Sequence, residues 1–296
     1  MMTYLRHIQA CNRFEPDDFL PLLLGERRVG FIRHDRAALL AGFPSAFDVE
    51  SRAIRFAAGL DTPPSRTDAL AGVARALVQS GEIESIRGEP FAITAGWRGP
   101  ALFELDRGAV AFFGTRSYGV HLNGYLSGGD TPTLWIGTRA LDKKVAPGKL
   151  DNLVAGGISA GYDACDTLIK EAEEEADMAP ALARQARPVG AALYRMAVPE
   201  GLRDDVLFIY DLAVPEDFVP HNNDGEIQGF ARMSLSDCLR RVREGDDFKF
   251  NVNLVLIDFA LRHGVIAPDG EEYLALLSGL RGGLIRETGG GAHGGG

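Results

Sequence analysis

Residues 156–178 constrain this 296-residue chain more than any other segment. The segment opens with a glycine-rich turn, and the apolar residues after it recur at three- and four-residue spacing, which predicts one helix over residues 163–176. Glu171, Glu174 and Glu175 stand at i, i+3 and i+4 on that helix, so their carboxylates share one face beside an apolar arc. The pattern predicts a helix that is packed on one side and carries a row of three carboxylates.

This row of glutamates is electrostatically unfavourable. Like charges at i and i+4 destabilise a helix by roughly 0.2–0.5 kcal/mol per pair, and the row lies near the helix C-terminus, where the dipole disfavours anions. A hard divalent cation with oxygen ligands would offset the repulsion. A solvated acidic face is the alternative interpretation of the run taken alone. The glycines that leave the backbone open to a ligand, and Lys170 beside Glu171, favour the metal site.

The spacing of this segment resembles the Nudix box, G-x5-E-x7-R-E-U-x-E-E-x-G-U, where U is a bulky apolar residue. The residues in register are Gly156, Lys170, Glu171, Ala172, Glu174, Glu175 and Met178. The sequence departs from the box where Tyr162 replaces the first Glu, Lys170 replaces Arg, Ala172 is small for its position, and Asp177 replaces Gly. Lysine keeps the charge of arginine but loses its bidentate fork. The three glutamates that the family uses as metal ligands are all retained.

The resemblance implies a metal-dependent hydrolase that cuts a diphosphate, with Mg²⁺, or alternatively Mn²⁺, as its cofactor. By register, Glu171, Glu174 and Glu175 are the metal ligands, with the backbone carbonyl of Gly156 nearby. Glu226, in an Asp-Gly-Glu-Ile segment, is a candidate for a further metal ligand, although Asp-Gly is also a common turn signal. The residues assigned to catalysis are Glu171 and Glu175, either of which could act as base, and Lys170, which can hold a neighbouring carboxylate.

Four residues outside the box are candidate substrate ligands, because cationic and amide side chains can hold phosphate oxygens. They are Arg116, Asn123, Arg139 and Lys149. An ordinary solvated charge is the alternative interpretation for the charged ones. His121 alternates with apolar neighbours in a predicted strand, which favours a structural histidine over a ligand.

Further segments resemble one Nudix subgroup, the one related to thiamine pyrophosphokinase. These segments are YGVHLNGY, WIGTRALDKKVAPGKLDNLVAGGI, DGEI and FKFNVNLVLIDFALRHG, and the resemblance extends over nearly the whole chain. Members of that subgroup are thought to convert thiamine diphosphate, and better its oxidised analogues, to monophosphates. Two alternatives stay open. One is hydrolysis of ADP-ribose or a nucleotide sugar, and the other is a Nudix-fold binding module without turnover, which the departures at 162, 170 and 177 would favour.

The order of predicted elements indicates an α/β chain with two domains and a tail. We expect a smaller α+β accessory domain over residues 1–115 and a Nudix α/β/α sandwich with a mixed sheet over residues 116–287. In the first part, apolar spacing predicts helices over residues 5–11 and 66–80 and another that opens at Pro16 and Asp17, with strands near 91–95, 101–105 and 109–113. The glycine-rich residues 288–296 are expected to be disordered.

Composition narrows the partners to small molecules. The net charge of −10 repels polyanions, which argues against nucleic-acid binding. No apolar run approaches the ~18 residues that span a bilayer, so we expect no membrane partner. The three cysteines form no pair or metal pattern, which favours free thiols in a reducing compartment, and the N-terminus lacks a signal-peptide pattern. We therefore expect a cytoplasmic enzyme for a small diphosphate, and a homodimer is compatible with the family.

Overall fold

The computed structural model describes residues 3–128 and 131–282, and the chain divides into two compact units. Within the described residues, the smaller unit comprises residues 12–116, 195–204 and 282. The larger unit comprises the remaining residues up to 11, 117–194 and 205–281. The predicted boundary between residues 115 and 116 stays a prediction, because these units interleave along the chain. The predicted tail over residues 288–296 lies outside the described residues.

The described residues form nine α-helices and thirteen strands. The helices are α1 (Leu5–Cys11), α2 (His34–Leu40), α3 (Pro63–Gln79), α4 (Val110–Phe113), α5 (Ala164–Ala176), α6 (Pro180–Ala183), α7 (Leu235–Glu244), α8 (Val252–Arg262) and α9 (Tyr273–Leu280). The strands are β1 (Phe19–Leu24), β2 (Arg27–Arg33), β3 (Phe47–Val49), β4 (Ile54–Phe56), β5 (Pro90–Thr94), β6 (Ala101–Asp106), β7 (Arg116–Leu126), β8 (Thr133–Arg139), β9 (Leu150–Asp151), β10 (Val154–Gly157), β11 (Arg187–Val198), β12 (Gly201–Ala213) and β13 (Ile227–Ser234).

The smaller unit is an α+β assembly. Its four-stranded sheet has the order β2-β1-β4-β3, and β5 pairs with β6 in a separate two-stranded sheet. Helix α3 begins after Thr62, whose hydroxyl accepts the backbone N–H of Ser65 while the Ser65 hydroxyl accepts the N–H of Thr62. This reciprocal capping box explains why the helix starts before the predicted residue 66.

Two predictions for this unit were wrong. The expected helix opening at Pro16 is a single 3-10 turn, and the following residues form β1, because Pro21 would leave a helix interior without one N–H donor. The expected strand at 109–113 is the short helix α4, which ends at Gly114 with a left-handed φ of +55°. A side chain at Gly114 would meet the carbonyl of Phe31 at 2.3 Å, so the close approach of β2 requires a glycine there.

The larger unit contains a seven-stranded sheet. Five strands follow the order β11-β12-β7-β8-β13, while β10 pairs with β7 and β9 pairs with β8. The contacts Ser117–Asp205 and Asn123–Asp211 keep one sequence offset of 88, so β7 and β12 run parallel, whereas β7 and β8 run antiparallel. The mixed sheet predicted from the sequence is confirmed.

Helices cover both faces of this sheet. Val120 and Leu122 of β7 belong to the buried cluster that contains Leu168 of α5. On the opposite face, the ring of Tyr125 packs edge-on against Phe259 of α8, with 5.5 Å between the ring centroids. The α/β/α arrangement therefore confirms the predicted fold class. Within the part of the chain that the structure describes, no helix is both long enough and apolar enough to cross a membrane.

Candidate metal centre

Helix α5 carries the row of glutamates between two well-defined ends. At its start the carboxylate of Asp163 accepts the N–H of Asp166, which satisfies one of the open donors of the first turn. At its end Asp177 adopts a left-handed conformation with φ of +52°, and its N–H returns to the carbonyl of Glu173. Asp177 thus takes the backbone conformation that a glycine provides most easily, so this departure from the box leaves the helix end intact.

A loop that precedes β13 is fastened to the same end of α5. The backbone N–H of His221 donates to the carbonyl of Ala176, and the N–H of Asn223 donates to the carbonyl of Glu174. The side-chain amide of Asn223 also donates to the carboxylate of Asp177 at 3.0 Å. These bonds hold the segment that contains Glu226 beside the C-terminal half of α5.

Glu175 is the most buried glutamate of the row, with 4% of its surface exposed. Its Oε2 accepts the backbone N–H of Ala155 in β10 at 2.8 Å, which fixes the orientation of the carboxylate. Burial raises the pKa of Glu175 well above its usual value; the Ala155 N–H lowers it, and the charges of Asp151, Glu171 and Glu226 raise it further. Several carboxylates therefore act on one buried position, and a cation there would relieve the repulsion.

Glu171 lies directly against Gly156, which the structure places in strand β10 and not in the predicted turn. A methyl group added to Gly156 would come within 2.3 Å of Cγ of Glu171, so the missing side chain is what admits this carboxylate. We expect Gly156→Ala to displace Glu171 and to lower turnover by roughly 10²-fold, since a 1 Å misplacement can cost that much. Because the displaced atoms belong to a flexible side chain, the free energy of unfolding should change far less.

Gly229→Ala is the matched control for this substitution, because no heavy atom lies within 4 Å of its added carbon. Turnover and urea unfolding of both variants and of the wild type decide the prediction. Equal turnover in Gly156→Ala and Gly229→Ala would show that the position of Glu171 does not matter.

The ammonium group of Lys170 pairs with two glutamates of the row, Glu171 and Glu174. Its ammonium lies 2.5 Å from Oε2 of Glu174 and 3.4 Å from Oε1 of Glu171. Partial burial lowers the pKa of Lys170, but the hydrogen bond to Glu174 and the charges of both glutamates raise it overall. The lysine that replaces the arginine of the box therefore still supplies a positive charge to two carboxylates.

Glu226 is brought to the site from a different segment. Its carboxylate pairs with Lys143 at 2.5 Å, and its backbone carbonyl accepts the N–H of Ala140 at 2.9 Å. The charge of Glu226 is one of the causes that raise the pKa of Glu175. The segment that contains Glu226 is thus fastened beside α5, while its carboxylate is paired with Lys143.

These side chains fit a divalent cation by their chemistry. The donors are carboxylate oxygens and a neighbouring backbone carbonyl, which hard cations such as Mg²⁺ and Mn²⁺ prefer. As arranged, no three His, Cys, Asp or Glu side chains among the described residues stand close enough to hold an ion together. The ammonium groups of Lys170 and Lys143 instead pair with Glu174 and Glu226.

The four predicted substrate ligands do not gather at this site. Arg116 belongs to the smaller unit, where it pairs with Asp204, and Lys149 donates to the carbonyl of Asp246. Asn123 is buried and donates to Asp211 at 2.9 Å. Their roles in substrate binding stay predictions, and the contacts favour structural roles.

Arg139 shapes the loop between β8 and β9. Its guanidinium is buried, donates to the carbonyls of Val145 and Ala146, and pairs with Asp151 at 2.7 Å. Ala146 has a φ of +52°, which is a strained conformation for alanine. The residue predicted to hold substrate thus holds the loop that carries Lys143 to Glu226.

Asp151 and Lys249 were missed by the sequence interpretation. The carboxylate of Asp151 is buried, accepts Arg139, and lies 3.4 Å from the ammonium of Lys249. The charges of Lys249, His121 and Arg139 hold the pKa of Asp151 below its usual value, although burial raises it. No short motif contains these residues, and only the charged lysine in an apolar FKF segment could have signalled them.

His121 is a buried structural residue. Its Nδ1 lies 2.8 Å from Oδ1 of Asn152. Burial lowers the pKa of His121 to about 4; the charge of Lys249 lowers it too, and Asp151 and Asn152 raise it.

We expect His121 to make the protein less stable as the pH falls. Between about pH 6.5 and pH 4 the unfolded chain binds a proton at this histidine that the folded chain does not bind. The free energy of unfolding therefore decreases as the pH is lowered through this range, by about 3 kcal/mol at most. Above pH 6.5 the histidine contributes no pH dependence. Urea unfolding of the wild type and His121→Gln at several pH values measures this, and equal slopes below pH 6.5 would refute it.

Comparison with known proteins adds family information to this geometry. Residues 3–117 match the family model "Domain of unknown function (DUF4743)". "Nudix hydrolase 24, chloroplastic" of Arabidopsis thaliana is 38% identical over 284 residues, which cover 95% of this chain and 78% of that protein. "Nudix hydrolase 20, chloroplastic" of the same plant is 37% identical over 289 residues, covering 94% and 77%. Among solved structures, DR0079 from Deinococcus radiodurans is 21% identical with a TM-score of 0.45, covering 57% of this chain and 97% of that one.

Proposed function

This chain belongs to the Nudix hydrolases, with an N-terminal DUF4743 domain, and we propose that it cleaves thiamine diphosphate or its oxidised analogues to the monophosphate. As a member of that family it is a hydrolase of phosphorus-containing acid anhydrides. The proposal adds the substrate, the divalent metal and the residues that hold it.

One observation supports the metal-dependent chemistry above the others. Glu175 is buried, is oriented by the N–H of Ala155, and receives the negative charge of Asp151, Glu171 and Glu226. A protein that only needed a stable helix would gain by losing this repulsion. The persistence of the cluster is explained if a cation occupies it during function.

The roles of the residues follow from their positions. Glu171, Glu174, Glu175 and Glu226 would hold the ion, with the carbonyl of Gly156 beside Glu171. Bound Mg²⁺ or Mn²⁺ supplies charge neutralisation at the phosphoryl group and lowers the pKa of a bound water. Glu171 and Glu175 are the two candidate proton acceptors; the side chain of Glu171 is 18% exposed, so water reaches it more readily. Lys170 keeps Glu171 and Glu174 oriented through its ammonium group.

The substrate class rests on the resemblance of four segments to the thiamine-related subgroup. Two of them supply residues of the site, since DGEI contains Glu226 and the segment from residue 135 to residue 158 contains Lys143, Asp151 and Gly156. The charge balance is compatible with this substrate. A chain of net charge −10 repels a polyanion less strongly when the ligand also carries a cationic thiazolium ring.

A hydrolysis panel tests the proposal. Wild type and Glu174→Gln are assayed with Mg²⁺ on thiamine diphosphate, its oxidised analogues, ADP-ribose, nucleotide sugars and dinucleotides. We expect the highest kcat/KM on a thiamine-type diphosphate, release of inorganic phosphate, and loss of turnover in the variant. A preference for ADP-ribose with release of AMP would replace the substrate assignment. No turnover by folded protein on any compound would favour a binding module.

A further inference from the structure

We propose that Lys249 binds a phosphate group of the substrate beside the metal centre, an inference that rests on the proposed diphosphate hydrolysis. Neither the box nor the substrate candidates drawn from the sequence include this residue. Two observations support the assignment: the position of the Lys249 ammonium group, and the contacts that the neighbouring charged side chains make.

The backbone fixes Lys249 next to the strand that leads into the site. The N–H of Leu150 donates to the carbonyl of Asp247 at 2.9 Å, and the N–H of Lys249 donates to the carbonyl of Leu150 at 2.9 Å. Residues 247–249 therefore lie alongside β9 as an additional short bridge. The ammonium of Lys249 consequently stands 3.4 Å from Oδ2 of Asp151, at the end of β9.

Asp151 connects this position to the metal centre. Asn152, which follows Asp151, lies 2.8 Å through its Oδ1 from Nδ1 of His121. His121 is opposite Ala155 in the pairing of β7 with β10, and the N–H of Ala155 holds the carboxylate of Glu175 at 2.8 Å. Asp151 and Lys249 therefore lie at the end of β9 that leads into β10 and the glutamates. On this inference, an oxygen atom of a diphosphate held at the glutamates accepts a hydrogen bond from the ammonium group of Lys249.

The other cations around the site have short contacts of their own. Lys170 and Lys143 each pair with a glutamate at 2.5 Å, and Arg139 spends its donors on two backbone carbonyls and on Asp151. The oxygen of Asp151 that faces Lys249 is the one that Arg139 already holds at 2.7 Å. The Lys249 side chain is 14% exposed, so it is not fully enclosed by the protein.

A buried hydrogen-bond chain orients the ring of His121, a neighbour of Lys249. Asp211 pairs with Arg262 and so accepts the amide N–H of Asn123; the oxygen of Asn123 then accepts the amide N–H of Asn152. The oxygen of Asn152 is left to accept, so His121 must donate from Nδ1. Burial lowers the pKa of His121 to about 4, so the ring carries no charge at neutral pH and does not compete with Lys249 for an anion.

Lysine is rare in this chain and is confined to one part of it. The chain has 26 arginines and five lysines, and all five lysines fall between residues 143 and 249. A chain that supplies most of its cations as arginine thus places its lysines in the part that carries the site. Lysine offers a compact charge with three donors that can follow a phosphate oxygen.

Calorimetric titration with methylenediphosphonate in the presence of Mg²⁺ tests the inference without requiring turnover. We expect Lys249→Met to bind this non-hydrolysable diphosphate at least about tenfold more weakly than the wild type, the loss of one charge-assisted contact. Lys249→Arg should stay within about threefold. Arg240→Met removes an exposed cation on α7 and should bind as the wild type does.

Acetylation of Lys249 and the hydrolysis panel distinguish a failure of this inference from a failure of the proposed function. Protection of Lys249 from acetylation by the Mg²⁺–diphosphonate complex, read by mass spectrometry on the wild type, decides the point if Lys249→Met does not fold. Unchanged affinity in Lys249→Met, absence of protection, or no binding of the probe by the wild type each overturns the inference. If the wild type hydrolyses the panel while Lys249→Met binds and turns over normally, the proposed function stands and the Lys249 assignment fails. If Lys249→Met binds the diphosphonate more weakly than the wild type but the wild type cleaves no diphosphate, the Lys249 assignment stands and the proposed function fails.

Discussion

Glu175→Gln should abolish metal-dependent turnover while leaving the metal-free protein at least as stable as the wild type. The amide oxygen of glutamine can still accept the N–H of Ala155, so the packing of α5 on β10 is kept. The substitution removes a buried negative charge that Asp151, Glu171 and Glu226 all oppose. We expect kcat to fall by roughly 10²–10³-fold, comparable to the loss of one group that stabilises transition-state charge.

The same variant should lose the stabilisation that a bound ion gives. An ion that binds only the folded state stabilises it by RT ln(1 + [L]/Kd), about 2.7 kcal/mol at one hundred times Kd. Thermal unfolding with and without Mg²⁺ should therefore show an increase in Tm for the wild type and little or none for Glu175→Gln. Glu173→Gln, an exposed neighbour on the same helix, is the control. A metal-dependent Tm shift of wild-type size in Glu175→Gln would contradict the assignment of Glu175 as a ligand.

Arg139→Met should cause the largest loss of stability among the substitutions considered. The guanidinium and the carboxylate of Asp151 are both almost fully buried and lie 2.7 Å apart. Removing the cation leaves Asp151 with the longer pair to Lys249 and takes the guanidinium donor away from the carbonyl of Val145. The carbonyl of Ala146 keeps the backbone N–H of Lys149. Breaking a buried pair on one side costs about 3–5 kcal/mol.

Urea unfolding of the metal-free protein measures this loss directly. Arg240→Met is the control, since Arg240 pairs with Asp237 on the surface, where an ion pair contributes about 0–1 kcal/mol. A change of less than about 1 kcal/mol in Arg139→Met would mean that the loop between β8 and β9 holds its shape without this residue.

The parts of the molecule that local spacing determines were predictable from the sequence. The apolar positions and the caps at Asp163 and Asp177 define α5, so its bounds matched closely. Ser234 begins α7 with a cap that its residue type favours, because its hydroxyl accepts the N–H of Asp237. Spacing on one helix also placed Glu171 and Glu175 on a common face beside the buried arc.

The parts that depend on tertiary pairing were not predictable in this way. Asp151 and Lys249 are 98 residues apart, and only the bridge between β9 and residues 247–249 brings their charges together. Arg139 looked like a surface cation because the sequence does not show that its loop folds back over the guanidinium. The helix predicted after Pro16 does not form for a local reason, since Pro21 lacks the N–H that a helix interior requires and lies in β1 instead.

The most direct test of the metal centre is a titration of Mn²⁺ into the protein, followed by electron paramagnetic resonance of the free ion. Wild type should remove Mn²⁺ from solution, and Mg²⁺ should compete for the same position. Glu174→Gln should bind Mn²⁺ at least about tenfold more weakly, as expected when one of few charged ligands is lost. Equal Mn²⁺ binding by the wild type and this variant, or none by either, would contradict a metal site at the row of glutamates on α5.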